Sequence, residues 1–583
     1  MVTACPGVRM TKPLMFGALA LASALMMGAA PVPTYDLVIR DAAIYDGSGG
    51  APFKGEVAVR GDRIAYVGPH APGAGVREID AHGKALAPGF INMLSWANES
   101  LIADGRGLSD LKQGVTLEVM GEGDSMGPLT PEMRAKETAR QGDIKFDITW
   151  STLGEYLDSM EKRGVSVNLA SFIGAATARI NVLGEGDVQP DAAQLAAMRG
   201  LVRQAMEEGA MGVGSSIIYA PGAYAKTPEL AALATEAGRC GGIYISHMRS
   251  EGDRLIEAVD ELIEISKTSG APAEIYHLKA GGRANWDKLD TAIAHVEAAR
   301  AAGQRITADM YVYPAGSTGL DAAMPTWVQA GGVEQWIARL KDPATRAKVL
   351  AEMRADKPAF ENLLHHAGGA GTLLVGFKNP ALKPLTGKTL GEVASLRGAS
   401  VEDTAIDLVI EDGSRVQVVY FLMSEPNVAK ETALPWMSFG SDAGALAPEG
   451  VFLRSSTHPR AYGNVARLLG KYVREEKTLS LAEAVRKLSA QPAHNLGLHD
   501  RGLIKTGYLA DLVVFDPATI AEHGTYEKPQ QLATGVSEVV VNGQLALSGG
   551  EPTAARPGRV VRGRGWTGWK DGGCRGSARD WSW

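Results

Sequence analysis

Hydrophobic and polar residues alternate at both ends of the chain, and this alternation predicts short β-strands there. The candidates at the two ends are 36–40, 56–60, 63–68, 77–81, 510–517 and 536–547. A period of two is typical of strands that bury one face. Neither end has enough strands to bury a sheet by itself, so we expect the two ends to form one small composite β-sandwich domain.

Between these ends, strand-like runs alternate with amphipathic segments that have helical spacing. The strand candidates are 88–94, 116–121, 167–174, 211–216, 243–248, 273–279, 306–313 and 437–443. Eight strands separated by helices predict an α/β fold, a (β/α)8 barrel of the TIM type. A ninth candidate, 416–424, means that one of the nine belongs to a long interruption between 315 and 430. We expect that interruption to be an insertion on the catalytic face, because it exceeds a usual βα loop several-fold.

The N-terminus has the pattern of a secretory signal peptide. Arg9 and Lys12 precede an apolar run that ends in small residues, with Gly28 and Ala30 placed as a cleavage signal requires. A membrane anchor is the alternative. We expect export to the periplasm and, after leader removal, no integral membrane domain, because no other segment has the length and apolarity of a transmembrane helix. The predicted divisions are 1–30 (leader), 31–86 and 501–560 (β-domain), 87–500 (barrel, with insertion 315–430) and 561–583 (tail).

Composition narrows the range of partners. The 583 residues are 45% hydrophobic with a formal charge of −7 and no basic, aromatic-interleaved patch, so we expect no nucleic-acid partner. Nothing in the sequence indicates an oligomeric state. Cys5 lies in the leader, and the remaining Cys240 and Cys574 are so far apart that they indicate no disulfide framework. The adjacent His365 and His366 are expected at the surface, since neighbouring helical residues point in different directions.

Two histidines, His247 and His277, each close a strand candidate and are thirty residues apart. Either one alone would more often be a core residue, but strand ends of a barrel meet at one face, so the pair can converge on a metal. Glu122, between two glycines beyond another strand candidate, would complete a two-histidine, one-carboxylate set that suits zinc with a water as fourth ligand. Asp442, after the last strand candidate, is a candidate general base and acid, with an N-cap aspartate as the alternative.

Nine short motifs follow one another along the chain: APGFI (87–91), QGVT (113–116), SSIIYAPGAYAKTPE, SHMRSEGD, HLKAGG, DMYVYPAGST, GSDAG, THPRAYG and GYLADLVVFDP. With these motifs in this order, the chain from about 35 to 565 resembles the amidohydrolase superfamily, and within it the N-acyl-D-amino-acid deacylases. The resemblance implies a metal-dependent barrel on a composite β-domain, with metal-binding His247 and His277 and catalytic Asp442. It further implies a set of substrate-binding residues. These are Lys279, Tyr311, Ser317 and Arg460 around the substrate carboxylate and Tyr219 at the scissile carbonyl.

The sequence departs from this family in two places. The family normally ends its first barrel strand in a His-x-His motif, where this chain has Leu94 and Trp96, and it mostly has a cysteine where this chain has Glu122. One of the superfamily's two metal positions has therefore lost its ligands. We expect one divalent metal, zinc, with manganese or iron as alternatives because a carboxylate is a harder ligand than a thiolate.

The sequence therefore predicts an exported metallohydrolase for a small molecule. In this prediction, water on the metal attacks the linear amide of an N-acylated amino acid, of D configuration. One alternative is hydrolysis of a cyclic amide, a dipeptide or a xenobiotic amide at the same site. Another is a metal-poor, non-catalytic binding protein on the same scaffold, which the lost His-x-His motif favours and the retained Asp442 opposes.

Overall fold

The chain is described from residue 35 to 568, and at Cys574, in a computed structural model. The predicted leader, 1–30, lies outside the described residues. The fold is an α/β barrel of the TIM type with a separate sheet domain, which confirms the predicted class. Among the residues that are described, we find no helix both long and apolar enough to cross a bilayer.

Eight strand positions form the barrel, one for each candidate between 88 and 443. In chain order they are Phe90–Asn92, Val115–Met120, Asn168–Ser171 continued by Ile173–Gly174, Gly212–Ser216, Ile243–His247, Ala273–Ile275, Ile306–Met310 and Met437–Phe439. Successive strands pair in parallel. The ring closes between the last and first strands, where the Asp442 N–H donates to the Leu94 carbonyl and the Met93 N–H to the Phe439 carbonyl.

Helices connect the strands and cover the outside of the barrel. They are Ala97–Ala103, Leu108–Leu111, Pro131–Arg140, Leu153–Arg163, Ala175–Leu183, Ala192–Glu207, Thr227–Arg239, Leu255–Ser269, Lys288–Ala301, Glu425–Ala433, Arg460–Arg467, the π-helix Leu468–Glu475, Leu481–Leu488 and Ala490–Asn495. Polar caps set several starts. Thr152 and Asp191, for example, each form a capping box with the residue three positions later, which satisfies N–H groups that the first turn leaves free.

The sheet domain takes strands from both ends of the chain. They are Tyr35–Ile44, Phe53–Arg60, Arg63–Gly68, Gly75–Asp80, Ala85–Pro88, Leu512–Phe515, Val536–Val541, Gln544–Ser548 and Glu551–Pro552. The two contributions join where Ala85–Pro88 pairs antiparallel with Leu512–Phe515. This domain therefore requires both ends of the chain, and it holds the first barrel strand, which begins two residues after Pro88, against the rest of the molecule.

The long interruption forms a subdomain of its own, and the ninth strand candidate lies in it. Its strands are Ala315–Gly319, Thr372–Gly376 and Gln417–Phe421, and its helices are Val333–Lys341, Pro343–Met353, Leu363–Ala367, Leu390–Arg397 and Val401–Asp412. It has a separate hydrophobic core around Trp336, Leu340 and Tyr420. The surface expectation is wrong for His366, whose side chain is 6% exposed and lies against Gly252 and Gly282, on loops that follow barrel strands.

A disulfide joins Cys240 to Cys574, so the expectation of no disulfide is wrong for this pair. The chain brings them together because its C-terminal segment returns along the barrel. The N–H of Val561 donates to the carbonyl of Leu169, and that of Thr567 to the carbonyl of Glu207. Separation along the sequence is no obstacle once tertiary packing has brought the two ends side by side.

The barrel interior contains a buried carboxyl, Glu274, on the sixth strand. Its oxygens accept hydrogen bonds from Thr307 Oγ1 at 2.8 Å, Ser438 Oγ at 3.1 Å and Asn495 Nδ2 at 2.9 Å. Burial raises the pKa of Glu274 to about 7, although the three hydrogen bonds oppose the shift. The neutral carboxyl is therefore the main form in the folded protein below about pH 7.

Replacing this carboxyl, Glu274→Gln, should change how stability depends on pH. A group with an ordinary pKa of 4.5 and a folded pKa of about 7 contributes stability at low pH that is lost as the pH rises through about 7. We expect the variant to be more stable than wild type above that pH, by on the order of 3 kcal/mol, and the difference to shrink toward pH 4.5. Urea unfolding across this pH range measures the difference, and a pH-independent difference would contradict the expectation.

Candidate metal centre

Three predicted ligands, Glu122, His247 and His277, meet at the C-terminal face of the barrel. Glu122 Oε1 lies 3.2 Å from His247 Nδ1 and 3.0 Å from His277 Nε2. The imidazole centroids are 4.5 Å apart, and one donor atom from each residue lies within 4.8 Å of the others. In the described part of the chain, this is the one group of three or more histidine, cysteine or acidic side chains with donors this close. Nitrogen and oxygen donors at such spacing suit a metal bonded at about 2.0–2.2 Å.

The local backbone explains how Glu122 reaches the histidines. It follows the second barrel strand and is flanked by Gly121 and Gly123, with φ of +104° and +74°. A Cβ atom on Gly121 would lie 2.4 Å from the Phe172 carbonyl oxygen, and one on Gly123 would lie 2.5 Å from Ser216 Cβ. Only glycine fits such close approaches at positive φ. The two glycines thus let the loop pass over the third and fourth strands.

The histidines are held by their strands. His247 is the last residue of the fifth strand, Ile243–His247. His277 follows the sixth strand with φ of +35°, and its N–H donates to Asp309 Oδ1 at 2.8 Å. A non-glycine residue at positive φ is strained, so the Asp309 contact compensates for a conformation that turns the imidazole into the barrel mouth.

Charges at the centre balance one another. Burial works to raise the pKa of Glu122, but the nearby imidazoles of His277 and His247 outweigh it and hold that pKa well below its usual range. Burial and the Lys279 ammonium lower the pKa of His277, but the carboxylates of Glu251 and Glu122 raise it overall to about 10, so a metal that binds there must displace a proton from the ring. Glu122 is therefore ionised, which is the form that binds a cation.

A second buried carboxylate, Glu251, supports the centre from the side of His277. Its Oε1 lies 2.9 Å from His277 Nδ1 and accepts a hydrogen bond from Lys279 Nζ at 2.6 Å. Lys279 Nζ is also 2.8 Å from His277 Nδ1. The ammonium can only donate and the carboxylate can only accept, so Nδ1 accepts from Lys279 when it is unprotonated and donates to Glu251 when it is protonated. Lys279, predicted at the substrate carboxylate, thus pairs with Glu251 in this structure.

The predicted catalytic carboxylate, Asp442, follows the eighth strand with φ of +49°. Its Oδ2 pairs with an Arg460 guanidinium nitrogen at 2.9 Å, and its Oδ1 accepts a hydrogen bond from Trp96 Nε1 at 3.1 Å. The same indole N–H lies 3.0 Å from Glu122 Oε2. Burial raises the pKa of Asp442, while the Arg460 charge lowers it. Asp442 thus stands beside the three-residue group, linked to it by Trp96.

Arg460 connects the catalytic carboxylate to the predicted substrate-binding residues. It starts the helix Arg460–Arg467, its guanidinium carbon lies 4.3 Å from the Tyr311 ring centroid, and its Nη2 donates to the Ser317 carbonyl oxygen at 3.4 Å. Its backbone N–H donates to His458 Nδ1 at 2.9 Å. The buried Nε and Nη1 atoms of Arg460 have no hydrogen-bond partner in the protein. The guanidinium therefore keeps two N–H groups that no protein atom satisfies.

Two further predicted residues lie on the wall of the same space. The Tyr219 ring is 5.3 Å from the His247 ring, and Arg415 lies 5.0 Å from the Tyr219 ring centroid. Ser317 belongs to the insertion, and its hydroxyl donates to the Val418 carbonyl at 2.9 Å. All nine predicted site residues line one cavity of about 950 Å³ between the barrel mouth and the insertion.

Sequence reasoning missed the roles of two residues. Glu251 is four positions after His247, in the loop that follows a ligand-bearing strand. An acidic residue at such a position is the signal by which the sequence could have revealed it. Trp96 was noted as a departure at the first strand, but no sequence pattern indicates that its indole faces two carboxylates. Both residues line the cavity.

Comparisons with known proteins show the family of the chain. A profile described as the amidohydrolase family matches residues 77–546. An N-acyl-D-glutamate deacylase of Alcaligenes xylosoxydans xylosoxydans is 31% identical over 530 residues, which cover 90% of this chain and 96% of the relative.

Two solved structures are similar over nearly the whole chain. The N-acyl-D-glutamate deacylase of Bordetella bronchiseptica, complexed with zinc and a phosphonate that mimics the tetrahedral intermediate, has a TM-score of 0.74 at 27% identity and covers 91% of this chain and 100% of that one. A D-aminoacylase structure, from work on one-metal activation and second-metal attenuation at its binuclear centre, has a TM-score of 0.75 at 30% identity with the same coverage. With a family profile over most of its length and these relatives, the chain belongs to the amidohydrolase family, as its motifs predicted.

Proposed function

We propose that this amidohydrolase removes the acyl group from N-acyl-D-amino acids with the help of one divalent metal, zinc. The observation that carries the proposal is the convergence of Glu122, His247 and His277 beside Asp442 and Arg460 in one cavity. The names of the relatives support the substrate class, because these are deacylases of D-configured substrates.

The donor set fits a metal. Two imidazole nitrogens and one ionised carboxylate oxygen are the ligands that catalytic zinc takes, and Glu251 supplies the outer carboxylate that usually orients a ligating histidine. We propose that Glu122, His247 and His277 hold the ion. When bound, zinc polarises a carbonyl and lowers the pKa of water to about 7.

Asp442 is suited to move the proton. Hydrolysis adds water across the amide, so one proton must leave the water as its oxygen bonds to the carbonyl carbon, and the amide nitrogen must gain a proton as the carbon–nitrogen bond breaks. A single carboxylate can do both as general base and then general acid. The Arg460 charge and the Trp96 N–H hold the two oxygens of Asp442 in fixed directions, so no reorganisation is needed during the reaction.

Arg460 is suited to recognise a linear substrate that carries a carboxylate. Its two unsatisfied N–H groups, the Tyr311 ring beneath it and the nearby Ser317 offer a charged, directional site within the cavity. A cyclic amide without a carboxylate substituent would leave this site empty. This arrangement supports the N-acyl amino acid over the cyclic alternative.

We also propose that the protein is exported to the periplasm. The support is the leader-like pattern in 1–30 together with the Cys240–Cys574 disulfide, because disulfides persist in oxidising compartments and are rare in the cytosol. In an oxidising compartment the disulfide would persist and keep the C-terminal segment covalently attached to the barrel.

The metal assignment predicts the metal content of purified protein. Wild type supplied with zinc should hold one metal per chain, whereas Glu122→Ala and His247→Ala should lose both the metal and amide cleavage. His295→Ala, which removes a partly exposed histidine paired with Asp260, should behave as wild type and serves as the control. Elemental analysis and an assay of amine release measure these quantities. A wild type that takes up no metal would favour the non-catalytic binding protein instead.

The substrate assignment predicts that Arg460 discriminates between a carboxylate and its amide. For Arg460→Gln, kcat/KM for an N-acetyl-D-amino acid should fall roughly 30-fold more than for the matching N-acetyl-D-amino-acid amide, since a hydrogen bond to a charged group contributes about 1.5–3 kcal/mol. Arg486→Gln, which changes a half-buried arginine that is paired with Glu483 outside the cavity lining, is the control. Equal losses for the two substrates would argue against carboxylate recognition by Arg460.

The export proposal predicts the thiol content of the mature protein. With the leader and Cys5 removed, titration of the denatured protein should find no free thiol before reduction and two after it, because only Cys240 and Cys574 remain. The mature chain should fractionate with the periplasm. Free thiols in unreduced protein, or a cytosolic chain that retains residues 1–30, would contradict the proposal.

A further inference from the structure

We propose that the indole N–H of Trp96 occupies the position that a second cation would take and that this N–H, instead of a cation, holds Asp442 and Glu122. The inference rests on the proposed function for the first metal, held by Glu122, His247 and His277. It adds a positioning residue for catalysis and explains why this chain would operate with a single ion.

The geometry that points to this role is a shared hydrogen bond. Trp96 Nε1 lies 3.0 Å from Glu122 Oε2 and 3.1 Å from Asp442 Oδ1, so one N–H serves two carboxylates. Two carboxylate oxygens that converge on one point repel each other unless positive charge lies between them. A metal ion usually supplies that charge. Here the positive end of an N–H dipole takes the position, because an indole nitrogen can only donate.

Each carboxylate divides its oxygens between Trp96 and a functional partner. Glu122 directs Oε1 toward the two imidazoles and Oε2 toward the indole. Asp442 directs Oδ2 toward Arg460 and Oδ1 toward the indole. The indole therefore fixes which oxygen of each carboxylate faces the reacting groups. Loss of the N–H would free both carboxylates to rotate.

The backbone that carries the 40% exposed indole is fixed at the barrel mouth. The Trp96 N–H donates to the Ala443 carbonyl at 2.9 Å, and Ser95 forms a parallel bridge with Ala443, so the residue is tied to the segment that carries Asp442. Leu94 is fully buried, and a Cβ atom placed on Gly440 would lie 2.6 Å from the Cβ atom of Leu94. Its side chain thus fills the space beside the eighth strand with hydrocarbon.

Within the described residues, the carboxylate oxygens of Glu122 and Asp442 face this position, and two donors are fewer than the three protein ligands of a catalytic zinc. D-aminoacylase is described with a binuclear metal centre. In this chain, the described residues contain one group of three close metal-type donors, and it is the group of Glu122, His247 and His277. The residues at the end of the first strand, Leu94 and Trp96, offer no lone pair to a metal, so the position does not fit an ion.

Metal stoichiometry and kinetics together test this inference. Equilibrium dialysis of apo-protein against zinc should saturate at one ion per chain for wild type and for Trp96→Phe, which keeps the ring and loses the N–H. The double variant Leu94→His with Trp96→His should bind a second, weaker zinc, because it restores imidazole donors at both positions. For Trp96→Phe, we expect kcat to fall on the order of tenfold or more at nearly unchanged KM. The variant lacks the hydrogen bonds by which the indole N–H holds the two carboxylates in position.

Trp327→Phe is the matched control, because the Trp327 indole donates to Glu352 Oε2 at 2.9 Å in the insertion, outside the cavity lining. It should leave stoichiometry and kcat unchanged. Two zinc ions in wild type, or an unchanged kcat in Trp96→Phe, would overturn the role of Trp96 while leaving the proposed deacylase intact. No zinc in wild type would overturn the proposed function as well. If the double variant does not fold, Trp96→Phe alone decides.

Discussion

The buried carboxylate of Glu122 is the group on which the site depends. A charge removed from water is costly unless it is paired on every side. Glu122 is 4% exposed, and its oxygens meet two imidazoles and one indole N–H. These partners come from the fifth strand, the end of the sixth and the end of the first. Pairing one charge therefore brings distant parts of the barrel mouth into contact.

From Glu122 the interactions continue as a chain of alternating acceptors and donors. The carboxylate accepts from Trp96, Trp96 also donates to Asp442, and Asp442 pairs with Arg460, which lies over the Tyr311 ring. Each group is placed by one of opposite polarity, so the site is oriented before a substrate arrives. A preorganised network of this kind stabilises developing charge without the cost of rearranging solvent.

The barrel by itself does not determine what the protein acts on, because one fold supports many reactions. What distinguishes this chain lies in the groups that its own sequence adds. A carboxylate stands among the metal donors, an indole stands where a His-x-His motif would end, and the insertion contributes a wall of the cavity with its own hydrophobic core. The buried guanidinium of Arg460 also keeps two N–H groups without a partner in the protein.

Sequence periodicity by itself determined the fold class. All eight strand candidates contribute barrel strands, since strands and helices are encoded by patterns a few residues long. The approach of His247 and His277 also followed from sequence, because parallel strands of a barrel end at one face. Family motifs then pointed to residues that line one cavity.

Tertiary structure alone decided the contacts between residues that are distant in sequence. It placed the ninth strand candidate in the insertion, paired Cys240 with Cys574, and turned Lys279 toward Glu251. It also aimed the Trp96 indole at Glu122 and Asp442, which lie 26 and 346 positions away. Local patterns specify which face of an element is buried. They do not specify which side chain of another element it meets, because that depends on how the whole chain packs.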